Sequence, residues 1–346
     1  MLKRIYNIIL FSFLYSTLYC QTGGDNVYEF LNLTHSGLVS SLGGSNVSLT
    51  GRNLNLAWHN PALLSSVMDK SLALNYVNYL AGINYGLAMY SFSIPEKGNF
   101  AGGITYLNYG AFTEADASGN ITGSFSASEY AFSAIWSLEL DSAFTVGVNF
   151  NPVLSHLEKY TSFGFAFDLG AAWHNQANLF SAGIVFRNIG LQVTTYAGEP
   201  GGKLPFEILA GASAKLAHAP FRFSLTVRHL EKFDLTYNYP ESSGEGSTNS
   251  TGSGFFENVM RHAIFGAEII PHRNFYLAIG YNYQRRRELQ TEGKVSGVGF
   301  SWGFGFNTSM LSLEFGRASY HLAGSSNHIS LVIYPKLIKS AFSKSY

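Results

Sequence analysis

The chain has 346 residues, 15% of them aromatic and 13% charged, with 22 basic and 22 acidic side chains. Ordinary soluble chains carry about 25% charge. The zero net charge, with no basic run beyond Arg285–Arg287, argues against a nucleic-acid partner. Only residues 5–19 approach the run of about 20 apolar residues that a spanning helix needs, which argues against a helical membrane protein.

Residues 1–20 read as a secretory signal peptide. Lys3 and Arg4 form the basic start, Ile5–Leu18 the apolar stretch, and cleavage is expected between Cys20 and Gln21. Cys20 is the only cysteine, so the mature chain would hold no disulfide, thiolate metal site or cysteine nucleophile. Residues 21–70 differ from the rest of the chain. They carry short apolar clusters at Val27–Leu33 and Gly37–Leu42, with turn signals at Gly43-Gly44 and Asn60-Pro61, and read as short helices and loops.

From Ser71 to residue 335 the pattern is β. Fourteen strands are predicted near 71–79, 83–94, 98–109, 125–139, 142–152, 160–174, 178–188, 205–218, 220–229, 259–270, 273–285, 295–306, 309–317 and 327–334. Phe221, Phe223, Leu225 and Val227 alternate with Arg222, Ser224, Thr226 and Arg228. In the twelfth strand Val298, Phe300, Trp302, Phe304 and Phe306 share one face; Gly297, Gly299, Ser301, Gly303 and Gly305 share the other. Successive side chains of a strand point to opposite faces. Large rings on one face and small or polar residues on the other, repeated with no other elements to cover the rings, match a barrel in lipid. The expected fold is therefore an all-β, antiparallel transmembrane barrel of about fourteen strands, followed by a tail at 336–346.

The connections sort by length. Short ones fall at 95–98, 140–142, 175–177, 219, 271–272 and 307–308. Longer ones fall at 110–124, 153–159, 189–204, 230–258, 286–294 and 318–326, and only 80–82 breaks the alternation. Outer-membrane barrels have short periplasmic turns and longer outside loops. An even strand number then places both termini in the periplasm. The stretch Glu241–Gly254 is Gly/Ser-rich and reads as a solvated loop.

Charged residues on the inward faces are Glu139, Asp168, Arg187, Arg222, Arg228, Glu268 and Glu314; facing lipid they would cost a few kcal/mol, so they are expected to form a polar lumenal set. Arg285, Arg286 and Arg287 are expected at the outer end of strand eleven as a basic rim, able to meet lipopolysaccharide or an acidic partner. Gly299-Phe300-Ser301-Trp302-Gly303 matches G-x-S-x-G, but that motif needs a sharp strand-to-helix turn, and the strand here runs on. The histidines are dispersed and no carboxylate pair stands out, so no catalytic residue, metal ligand or cofactor site is expected and the chain is not read as an enzyme.

Two stretches carry a family resemblance. Gly37-Leu38-Val39-Ser40-Ser41-Leu42-Gly43-Gly44-Ser45-Asn46-Val47, then Asn55-Leu56-Ala57-Trp58-His59-Asn60-Pro61-Ala62-Leu63, resemble the start of fatty-acid-transporter (FadL) type barrels, with a Gly-Gly turn and an aromatic-x-Asn-Pro-Ala-x-Leu run. Together with Gly24–Leu33 and Leu74–Gly86 they look most like the PorV/PorQ family of the type IX secretion system, densely over residues 24–90. The resemblance implies an N-terminal plug in the lumen, its motif being Gly43, Gly44, Trp58, Asn60 and Pro61. It implies the outer membrane of a Bacteroidetes-type bacterium. It implies a non-enzymatic place in the attachment complex, holding a PorZ-like surface protein beside the PorU–PorV pair while cargo is processed and fixed to lipopolysaccharide. A FadL-type transporter of hydrophobic molecules is the alternative. It predicts an apolar pocket between plug and wall, whereas a lumen packed with Gly, Ser and ion pairs would count against it.

Overall fold

The computed structural model describes residues 26–175, 177, 179–196, 200–235, 254–289, 297–321 and 324–335. The expected signal peptide with Cys20, the loop residues 241–253 and the tail 336–346 lie outside them. Fourteen antiparallel strands close into one barrel. They are β1 (Leu72–Asn78), β2 (Asn84–Ile94), β3 (Gly98–Ala115), β4 (Ile121–Glu139), β5 (Phe144–Leu157), β6 (Tyr160–His174), β7 (Phe180–Thr194), β8 (Glu207–Lys215), β9 (Phe221–Val227), β10 (Ala263–His272), β11 (Phe275–Asn282), β12 (Phe300–Asn307), β13 (Leu311–His321) and β14 (Gly324–Ile333). Pairing of β1 with β14, from Leu72↔Ile333 to Asn78↔Asn327, completes the ring. Closure removes every sheet edge, so all strand amides and carbonyls can pair without water.

The faces sort as the alternation predicts. Phe132, Phe223, Phe265, Trp302 and Phe306 stand exposed on the outer wall, while Ser133, Ser301, Glu268 and Glu314 are buried inside. Most of the large strand residues stand outward, so the strands alone cannot close a core. It comes from residues 26–70, which fill the lumen as a plug built of α1 (Gly37–Ser41), α2 (Leu56–His59) and three short 3-10 turns. Plug residues Leu54, Trp58, Leu64 and Met68 pack against Ala73, Met89, Ile135 and Val332 of the wall. Phe30 and Leu31 pack against Val77, Leu107 and Val153, and Leu42, Leu56 and Leu63 against Ala172 and Ala278. Each such side chain taken from water contributes about 1.5–3 kcal/mol. The hydrophobic core is thus a plug–wall interface.

Several expectations need correction. Residues 110–115 and 121–124 are strand, not loop: β3 and β4 run on together and turn at Asp116–Asn120, where the Asp116 carboxylate accepts from the amides of Ser118 and Asn120. β5 and β6 meet at a two-residue turn, and β7 continues to Thr194. In β3 and β4 both faces of these ends are exposed, so alternation does not mark them; in β7 Ile189, Leu191 and Val193 stay outward, and a bulge at Asn188 (φ 57°) breaks the pattern before them. Residues 259–262 belong to a helix, α3 (Phe255–His262), and 283–289 to α4 (Tyr283–Leu289), not to strands ten and eleven. Val298 is buried rather than outward, because Gly299 (φ 88°) turns the chain before β12 begins.

Leu72 and Ile333 share the end of the barrel with the short turns. Asn26 lies at the opposite end, bridged to Lys203 in the β7–β8 connection. The plug therefore runs the length of the lumen before entering β1, and the first described residue does not share an end with the last.

Candidate functional site: the plugged lumen and its vestibule

The plug is held at its turns. Ser36 caps α1, its hydroxyl accepting from the Val39 amide. Gly43 and Gly44 both adopt positive φ, 102° and 98°, which a side chain would strain. Asn60 does more. Its Oδ1 accepts from the Ala62 amide at 3.0 Å, while its Nδ2 donates to the Val47 carbonyl at 2.9 Å and to the Ala171 carbonyl of β6 at 3.3 Å. Pro61 opens the next turn with φ already set and no amide to satisfy. Trp58 lies edge-on to His35, 5.0 Å between ring centres. Asn60→Ala strips partners from two buried backbone groups and one half-buried one, and each buried group left unsatisfied costs about 1–3 kcal/mol. We expect Asn60→Ala to lower the unfolding temperature in detergent by more than any exposed loop substitution.

The wall is shaped to receive these turns. A Cβ on Gly147 or Gly170 would collide with Asn60–Ala62, one on Gly183 with the Val47 carbonyl, and one on Gly280 with Leu42–Gly43. Gly303 faces Ser41, and Gly316 faces Gly37. Ser301 Oγ donates to the Ser41 carbonyl at 3.0 Å. The small face of the strands, Gly303 and Ser301 of β12 included, is a mould for the plug backbone.

The inward charges are distributed around the lumen rather than gathered into one network. Arg222 and Glu268 form a two-pronged pair at 2.5 and 2.7 Å. Arg228, just past β9, donates to Glu207 at 2.6 Å, and His229 lies 3.5 Å from the same carboxylate. Glu314 accepts from Asn53 of the plug at 2.6 Å and from the Leu38 amide at 3.2 Å. Asp168 accepts from Asn149, Asn151 and the Asn188 amide. Arg187 is buried and paired in register with Glu207. Glu139 sits exposed at the short-turn rim, accepting from the Ser66 amide at 3.0 Å and from Asn99 at 3.2 Å. Arg285 of α4 turns inward over the Tyr320 ring, 4.0 Å from its centre. Arg287 pairs with Glu257 of α3 at 2.7 Å, and Arg286 lies on the same helix. Arg287, by its side-chain bond, and Arg261 hold the Glu257 carboxyl below its usual range.

Sequence reading missed Glu207, which lies on a strand with weak alternation, and the plug histidines. His35 is fully enclosed, edge-on to Trp58 and to Tyr85. Burial, then His328 and Arg187, push its pKa down to about 3. His59, also in the plug, is pushed down by burial, then by Arg187 and His35. A histidine held neutral in the fold but free to protonate when unfolded, near pH 6.5, destabilises the fold as pH falls from 6.5 towards 3. We expect His35→Phe to flatten that acid limb in a series of unfolding temperatures against pH.

Solvent reaches the plug from both ends. At the long-connection end a vestibule of about 1070 Å³ is lined by Glu29, Lys203, Arg228, Glu231, Arg285 and Glu288. At the other end two cavities of about 640 and 550 Å³ meet Arg52 and Arg222. Between them Val39, Leu54, Ala57 and Asn60 are fully buried.

No protein-family model matches this chain, and no curated protein matches it. Solved structures do. A monoaromatic hydrocarbon channel, TodX in a ΔS2 mutant form, superposes with a TM-score of 0.52 at 12% identity, covering 87% of this chain and 98% of that one. The Pseudomonas putida toluene transporter TodX superposes at 0.51 and 11% identity, covering 88% and 98%. A Pseudomonas aeruginosa FadL homologue is 10% identical, with a TM-score of 0.47 over 86% and 97%. The fold is FadL-like, a closed antiparallel barrel of fourteen strands with residues 26–70 in its lumen, as its superposition on TodX shows. At such identities the likeness shows the fold alone. Within it, the plug and its vestibule are the candidate functional site. The TodX structures are described as a hydrocarbon channel and as a toluene transporter.

Proposed function

We propose that this FadL-type barrel is a plugged, non-enzymatic anchor in the outer membrane, holding a PorZ-like surface partner of the type IX attachment complex. The observation that carries this reading is the seating of the plug. The turns that bear the family resemblance, Gly43-Gly44 and Asn60-Pro61, are those moulded into glycines of the wall. A lumen closed by backbone contacts and ion pairs suits a rigid support, whose loops and vestibule supply the binding surface. The test is an affinity pull-down of tagged protein from native outer membranes. Recovery of a PorZ-like protein, with or without PorU and PorV, supports the anchor; recovery of the barrel alone, with unchanged processing of surface proteins after deletion, sinks it.

A second reading is passage of small hydrophobic molecules. The solved structures speak for it better than for the anchor, since TodX is a toluene transporter with the same architecture. Against it stands the charged lining of the vestibule. Uptake of radiolabelled toluene or palmitate into vesicles carrying the purified barrel, above that of empty vesicles, would establish this reading in place of the first.

Both readings share one orientation: short turns in the periplasm, long connections outside. The mature chain is expected to lack cysteine, so a single one can be placed at will. We expect Ser118→Cys, at the β3–β4 turn, to react with an impermeant maleimide on intact cells, and Ser309→Cys, at the β12–β13 turn, to react only after lysis.

A further inference from the structure

We infer that the outer wall between β7 and β12 holds a seat for one acyl chain of a membrane lipid. Two rows of outward side chains cross the strands there. One row is Phe180, Ala214, Phe223, Ala267 and Ile279, neighbours in successive registers. The next is Ala212, Leu225, Phe265, Tyr281 and Phe300. Ala212, Ala214 and Ala267 are low points among rings and branched side chains, and between them lies a groove of about 440 Å³. That is the size of an ordinary ligand pocket. Five strands at about 4.8 Å spacing make the groove about 19 Å long, against a leaflet hydrocarbon depth of about 15 Å.

Three features make this more than ordinary lipid contact. The groove belongs to the lipid-facing belt, so its occupant is drawn from the bilayer. Its back is rigid: on the inner side of the same strands Gly266 and Gly280 rest on Leu42 and Gly43 of the plug. It also lies on the low side of the barrel. β8 to β12 have 9, 7, 10, 8 and 8 residues, against 18 and 19 in β3 and β4. A spanning strand usually needs about 9–11 residues, so the wall here is little or no taller than the hydrocarbon and the groove crosses most of its height. The raised Phe223, Ile279 and Phe300 keep a second barrel from reaching the alanine floor, so a single chain is the occupant.

The test uses the full chain in detergent and phosphatidylethanolamine with two sixteen-carbon chains. Native mass spectrometry is expected to show one lipid retained, with at least tenfold weaker retention in Ala212→Phe/Ala267→Phe, which fills the groove. Equal retention by the two proteins would reduce the groove to general lipid contact, and a retained dimer lost in the variant would give it to a second copy; either result overturns the seat. Independently of how the variant folds, a phosphatidylethanolamine bearing a diazirine on its acyl chain should label wild-type β8–β11 above the rest of the belt. Even labelling around the barrel would overturn the inference.

Discussion

Gly170→Val and Gly280→Val are expected to unseat the plug. A Cβ at Gly170 would fall on the Asn60 side chain and against Pro61, and one at Gly280 would fall on the backbone of Leu42 and Gly43. Overpacking a core costs about 1–3 kcal/mol when neighbouring side chains can yield. Here the neighbours are a capping side chain fixed by three hydrogen bonds and a turn at positive φ, so little can yield. We expect losses of about 3 kcal/mol in each variant, at the upper end of that range. The strands themselves keep their pairing, so the barrel should stay closed while the plug loosens. Two readouts check this: protease cleavage within residues 26–70, and new conductance in planar bilayers. Gly102→Val is the control, because a Cβ there meets only the Ser133 carbonyl at 3.9 Å. Unchanged proteolysis and a silent bilayer in both plug-facing variants would mean that the plug does not rest on these glycines.

Arg222→Met is expected to cost about 3–5 kcal/mol, the usual penalty for orphaning a buried charge. Arg222 and Glu268 are direct cross-strand partners on β9 and β10, and Glu268 is 1% exposed. With the guanidinium gone, its carboxylate has no cationic partner at hydrogen-bond distance among the described residues. The pair as a whole contributes much less than this, because both charges gave up water to form it. Arg222→Met/Glu268→Leu should therefore recover most of the loss. Chemical unfolding of the two single variants and the double variant forms a closed cycle. A double variant as unstable as Arg222→Met would show that the arginine acts through packing over the cavity it lines, not through its charge.

The two effects differ in how far they could be read in advance. Alternation alone turns Arg222 and Glu268 inward, since a charge on the lipid face costs a few kcal/mol. Their pairing needed the register, which no local pattern states. The glycines were legible as a small face, as in Gly303 and Gly305 of β12, but not as a mould. Gly305 in fact meets the Tyr276 ring of its own wall, not the plug. Arg285–Arg287 show the opposite case. They read as a basic rim, yet they lie on a helix, where Arg285 turns in over Tyr320 and Arg287 pairs with Glu257.

The sequence by itself determined the barrel, its strand number and which residues face lipid. Those come from period-two alternation, which is local and which lipid enforces at every strand. It also marked the plug by its turn residues and family likeness. Only the tertiary structure decided where the plug sits, which glycines receive it, how the lumenal charges divide into pairs, and how far β3, β4 and β7 extend. Those depend on contacts between residues far apart in the chain, on the bulge at Asn188 in β7, or on the ends of β3 and β4, which are exposed on both faces.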